Sequence, residues 1–315
     1  MWTSLVIMNV ARGANQRRFI SQQAMTLRES VRKLDYDHFL CGLLLPTPSR
    51  DAFYAIRAFN IEIARIKDSS RTNPGAGKLR IQWWRQRLND LFDKRNAASA
   101  PTDHVVLAEL HTAIHKHQLT QRWFDRILEA REMDLEVDNP TSMRDLDMYA
   151  EKTAASMLHL TLECLDIRND AADVAARHAG TAIGITTLLR GTTFHSSQKC
   201  VYLPNDVLAK HQATVDDVLV AAGAPEDATD DVIAKITPAT FDVACHALDH
   251  MRQAQAMQSQ LPRAAIPAFY TTVSSQLFLA RLETYQFKLV HPELHESRPQ
   301  ALQWSLFKHS LFRSF

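Results

Sequence analysis

Residues 49–70 read SRDAFYAIRAFNIEIARIKDSS. Phe53, Ile56 and Ala64, with other small or apolar residues, recur at three- and four-residue spacing, the period of one helix face. Pro46 and Pro48 break the chain before this stretch, Ser49 is placed to cap the helix, and Asn73-Pro74-Gly75 closes it. The next helix is expected from about Lys78, with Trp84, Leu88, Leu91 and Phe92 on one stripe. Trp83-Trp84 lies beside Arg80, Arg85 and Arg87, which reads as a core tryptophan among solvated arginines.

The same pattern continues in both directions. Two helices are expected between about Asp103 and Met133, parted near Leu119-Thr120. A long apolar helix is expected over Met143 to Leu165 and another over Ala171 to Leu189. A polar loop from Gly191 to Asn205 ends in Val201-Tyr202-Leu203-Pro204. Helices at Val215 to Ala222, Pro238 to Leu261 and Pro267 to Val290 complete the series. Only 8 glycines occur in 315 residues, too few for a chain of strands and hairpins. An all-α fold follows, as one compact domain without internal repeats.

Composition narrows the function classes. A net charge of +1 and the lack of a basic-aromatic patch argue against nucleic acid as a partner. Cys41, Cys164, Cys200 and Cys245 show no C-x-x-C pair and read as reduced thiols. No apolar run approaches the roughly 18 residues of a spanning helix. Arg12, Arg17 and Arg18 precede the first acidic residue, Glu29, so residues 1–25 read as a mitochondrial presequence, the alternative being a frayed basic tail.

Spacing alone offers one metal candidate, Asp242, His246 and His250 at i, i+4 and i+8; a solvated helix face is the preferred reading. His115 and His117 diverge on a helix and make a poor ligand pair. Phosphate loops, dinucleotide glycine patterns and G-x-S-x-G elbows are missing from the chain.

Several stretches resemble the squalene/phytoene synthase family in order and spacing. They are Phe39-Leu40 through Leu45-Pro46, Arg50, Tyr54-Ala55 with Phe59, and LRIQWWRQRL at Leu79 to Leu88. Tyr149 to Ala155 and His178 to Arg190 followed by Tyr202-Leu203-Pro204 extend the likeness. The resemblance implies a helical bundle over residues 26–295, in which two opposed D-x-x-x-D pairs hold Mg²⁺ against a prenyl diphosphate. Such chemistry needs the ions because the leaving diphosphate develops charge that must be neutralised. Matched residue by residue, the first pair falls at Ala64 and Asp68 and the second at Gly191 and His195. Only Asp68 is a carboxylate, with Arg65 and Lys67 beside it. Glu62 lies six residues earlier, about 240° round the helix, and cannot substitute. The resemblance thus implies a non-catalytic member with neither metal nor cofactor, Asp68 paired with a neighbouring Lys or Arg, and Arg190 in a structural ion pair.

The pattern Phe59-Asn60-x-Glu62-Ile-Ala64-x-Ile-Lys67-Asp68-Ser69, with Trp83 and Arg122-Trp123, resembles the complex I assembly factor 6 branch of that family. This implies a peripheral protein on the matrix side of the mitochondrial inner membrane. It would act early on complex I assembly intermediates, in biogenesis of a membrane-arm core subunit. The cavity stripped of metal ligands would shelter a lipid or apolar client; a lipid carrier or residual prenyl-diphosphate transferase is the alternative. Residues 296–315 form an amphipathic segment: Trp304, Phe307, Leu311 and Phe315 share a stripe that offers a membrane contact, with Lys308 and Arg313 at hand for anionic lipid. Packing of that helix against its own body is the preferred reading.

Overall fold

The computed structural model describes residues 27–93, 101, 104–223 and 229–315, so the presequence read at residues 1–25 lies outside the described residues. A helical stretch over 27–34 leads into α1 (Tyr36–Leu43). The stretch that opened the reading is α2 (Thr47–Ser70), and it starts two residues before the expected cap. Pro46 occupies the cap position and Pro48 the first turn, where a missing N–H costs nothing, so Ser49 is carried into the helix and buried. Asn73-Pro74-Gly75 does not close a helix but opens one: the Asn73 side chain accepts from the Ala76 N–H and α3 runs Pro74–Phe92.

Helices α4 (Val105–His117) and α5 (Gln121–Asp134) part where expected. The long apolar helix is broken in register. It runs as α6 (Met143–Ala150), a π-helical segment at Glu151–Ala155, and α7 (Ser156–Cys164). Next comes α8 (Asp170–Arg190). The expected polar loop holds a short α9 (Thr192–Ser197) before α10 (Asn205–Lys210) and α11 (Val215–Gly223). Helix α12 (Asp230–Ala256) continues through Pro238 rather than starting there. Short turns follow, then α13 (Ile266–Phe269), α14 (Val273–Thr284), α15 (Pro292–His295) and α16 (Pro299–Phe312).

No strand occurs among the described residues, and none of their helices is long and apolar enough to cross a membrane. Phe59 sits fully buried between Trp84 and Phe124, each with ring centroids 5.3 Å away in edge-on contact. Trp84 is therefore the core member of its pair, while Trp83 is 38% exposed. Helix α8 lies in the middle of the bundle. A Cβ on Gly180 would fall 2.1 Å from the Ala155 Cα, and one on Gly184 would fall 2.8 Å from the Ala150 Cα. Backbone touches backbone there, and this close approach seats the π segment beside the central cavity.

Candidate functional site

Helices α1, α2, α5, α6 and α8, with the loop before α10, enclose a cavity of about 480 Å³. Ala64, Asp68 and His195 line it; Gly191 starts the turn behind it, and a Cβ there would meet His195 Nε2 at 2.8 Å. Three positions from the two aligned pairs thus share one wall although 127 residues of chain separate Asp68 from His195. Cations dominate the polar part of the lining, with Arg57, Arg65, Lys67, Arg71, Arg131 and Arg190 against Asp35, Asp68 and Asp134. Met157, Leu158, Ile183 and Leu188 supply an apolar wall.

Two of the three lining carboxylates, Asp35 and Asp134, are already taken. Lys67 Nζ donates to Asp134 Oδ1 at 2.9 Å, to the Val137 carbonyl at 2.7 Å and to the Tyr202 hydroxyl at 3.1 Å. Tyr202 in turn donates to Asp134 at 2.9 Å, and Tyr149 donates to it at 3.5 Å while accepting from Arg131. Burial pushes both phenols well above their ordinary range, so they stay protonated as donors. Burial raises the Asp35 carboxyl too, but the Arg57 guanidinium and His38 outweigh it and hold it well below the usual carboxylate range. Asp35 and Asp134 are thus bound to fixed cations and phenols, which among the described residues leaves Asp68 as the one carboxylate of the lining without an ion pair. Mg²⁺ requires free oxygen ligands in near-octahedral array, and this lining does not supply them.

Two expectations need correction here. Among the described residues Asp68 forms no ion pair within 4 Å; Lys67 reaches past it to Asp134, and Asp68 stands at the exposed rim. Partial burial raises its carboxyl, against the pull of Arg131, Arg71 and Lys67. Phe315 is not a surface residue: the chain reverses at Arg313, in left-handed conformation, and Phe315 stacks on Phe269 at 4.4 Å, 4% exposed. Trp304, Phe307 and Leu311 stand 61%, 55% and 64% exposed, with Leu302 and Leu306 turned inward, so α16 packs on the body by one face and presents the other to solvent. Arg190 pairs with Asp37 at 2.8 Å and ties α8 to α1. Asn139 donates to the Val201 and Leu203 carbonyls, which shapes the loop that carries Tyr202.

Arg131 and Asp134 were not singled out by the sequence, and Tyr149 entered only as the start of a matched stretch. The i, i+3 spacing of Arg131 and Asp134 on one helix face was the available signal, but nothing local points either of them at Lys67.

The squalene/phytoene synthase family model matches residues 31–308. The chain belongs to the squalene/phytoene synthase family. Within this family it is similar to NADH dehydrogenase (ubiquinone) complex I, assembly factor 6 of Rattus norvegicus, 38% identical over 268 residues, covering 85% of this chain and 76% of the relative. The Homo sapiens protein of the same name is 37% identical with the same coverage. The branch read from Phe59 to Ser69 is the one these relatives represent. A crystal structure of a dehydrosqualene synthase in complex with ligand superposes with a TM-score of 0.76 at 17% identity, over 94% of this chain and 97% of the other, which supports the family's fold.

Proposed function

We propose that this protein serves assembly of NADH dehydrogenase (ubiquinone) complex I and does not transfer prenyl groups. One observation carries the reading: at the four positions matched to the family's metal-binding acids, Ala64, Asp68 and His195 line the cavity with Gly191 behind it, and the other lining carboxylates are held by cations and phenols. An ion that cannot be held cannot neutralise a departing diphosphate. In this reading the protein works in mitochondria, at the matrix face of the inner membrane, early and on a membrane-arm core subunit. Contact with the membrane is through the exposed face of α16. A lipid or apolar client segment occupies the cavity, whose volume of about 480 Å³ and mixed apolar and cationic lining suit a chain with an anionic end.

The test is depletion in the source cells. Assembled complex I should fall while sterol and carotenoid products stay constant, and proximity labelling in intact mitochondria should mark complex I intermediates. Loss of prenyl products with intact complex I would overturn the reading. A lipid-carrier role is favoured by the apolar wall of Met157, Leu158, Ile183 and Leu188; it predicts that purified protein retains a prenyl or acyl lipid without turning it over.

A further inference from the structure

His246 and His250 were grouped with Asp242 by spacing, but Asp242 is engaged elsewhere, accepting from Lys210 and His211 at 2.7 Å each. A different carboxylate meets the two histidines. Asp147, on α6, places Oδ1 and Oδ2 at 2.8 and 2.9 Å from His246 Nε2, and Oδ1 at 3.9 Å from His250 Nε2. One donor atom from each of the three lies within 4.8 Å of the others. We propose that Asp147, His246 and His250 bind a divalent transition ion of the zinc class, clamping α6 to α12.

The donor set fits that ion and not the family's magnesium. Two imidazoles and one carboxylate match zinc, whereas Mg²⁺ seeks oxygen ligands and retains its water. Zinc bonds of about 2.0–2.1 Å put tetrahedral ligands about 3.3 Å apart. The His246 contact to Asp147 must therefore open by about half an ångström, the His250 contact close by about as much, and the two imidazole nitrogens, within 4.8 Å of each other, draw in by side-chain rotation. The i, i+4 spacing on α12 sets both rings on one face. A partner behind the ligands is present as well: His250 Nδ1 lies 3.0 Å from His178 Nδ1 on α8. With Nε2 on the ion, Nδ1–H of His250 donates to His178, which fixes the tautomer and ring angle as an outer ligand does. The side chains of Asp147, His246 and His250 are 30%, 33% and 19% exposed, so an ion can enter from solvent and keep water as its fourth ligand.

Asp147 is two residues from Tyr149, about 200° round the helix, so the ion sits on the side of α6 away from the cavity. It would hold in place the helix that carries the Tyr149 hydroxyl to Asp134.

Untagged full-length protein, stripped with chelator, is titrated with Zn²⁺ against a chromophoric competitor, and zinc-soaked crystals are measured above and below the zinc absorption edge. One zinc per chain is expected, with an anomalous peak between Asp147, His246 and His250 and no displacement by millimolar Mg²⁺. His246→Gln and His250→Gln should each weaken binding by more than the ~10- to 100-fold typical of an outer-ligand loss, and His178→Phe by about that amount. Zinc should raise the thermal midpoint of the parent protein but not of His246→Gln, whose helical content under chelator matches the parent. Undiminished affinity in the His246→Gln/His250→Gln double variant, or an anomalous peak at other histidines, would overturn the assignment; the crystal measurement decides even if a variant fails to fold.

Discussion

His195, matched by resemblance to one of the family's metal-binding acids, lines the cavity, and its protonation follows from that burial. Burial pushes its imidazole down to about 4, against the opposing pull of Asp134. Between that value and the unfolded value of 6.5 the unfolded chain holds a proton that the folded chain refuses. The contribution to stability is therefore complete above about pH 6.5 and lost as pH falls towards 4. At about 1.4 kcal/mol per pH unit it amounts to at most about 3 kcal/mol. Urea unfolding of His195→Phe should show a loss of stability between pH 7 and pH 4.5 that is smaller than the parent's by about 2 kcal/mol. An identical pH dependence in the two proteins would place the titration elsewhere. Lys67 gives a second residue-scale test. Lys67→Met leaves the Asp134 carboxylate buried with only its phenol donors, and chemical unfolding at pH 7 should register a loss near the lower end of the about 3–5 kcal/mol typical of a broken buried pair.

At the scale of elements, the π segment and α8 depend on each other. The extra residue in the π turn carries Thr153 onto the cavity wall, and the turn fits because Gly180 and Gly184 let α8 approach its backbone. Gly180→Ala would drive a methyl group into Ala155, where backbone cannot step aside, and should destabilise by about 3 kcal/mol or more by thermal or urea unfolding. Gly223 makes the contrasting case. Among the described residues nothing stands within 4 Å of a Cβ there and its φ is not positive, so Gly223→Ala should be neutral or stabilising by up to about 1 kcal/mol. If the two substitutions behave alike, close packing is not what selects glycine at position 180. Pro238 teaches a related lesson about boundaries. Its placement inside α12 forfeits one backbone hydrogen bond, which the surrounding packing of Ile236, Ala239 and Val243 outweighs.

Across the whole molecule, the proposed function assigns the exposed apolar face of α16 to a membrane and the cavity to a client. The stacked pair Trp304 and Phe307, with Leu311, stands out from the body beside Lys308. Co-sedimentation with vesicles of inner-membrane composition should fall at least tenfold for Trp304→Ser/Phe307→Ser/Leu311→Ser, by the roughly 1.5–3 kcal/mol each buried large apolar side chain supplies. Phe315→Ala should instead lower thermal stability and leave vesicle binding unchanged, because its ring is spent on Phe269.

Helical periodicity and the identity of single residues are properties of neighbouring positions, and so the sequence alone determined the all-α bundle and its family, while the matching of Ala64, Gly191 and His195 to metal-binding acids rests on the resemblance. Helix ends around prolines were harder, because a proline before a helix and one in its first turn look the same in a string; the Asn73 side chain decided the matter by capping Ala76. What only tertiary structure decided are the meetings of distant residues: Lys67 with Asp134, Phe315 with Phe269, and Asp147 with His246 across 99 positions. Such pairs depend on how helices cross, and crossing is set by packed surfaces that no local pattern encodes.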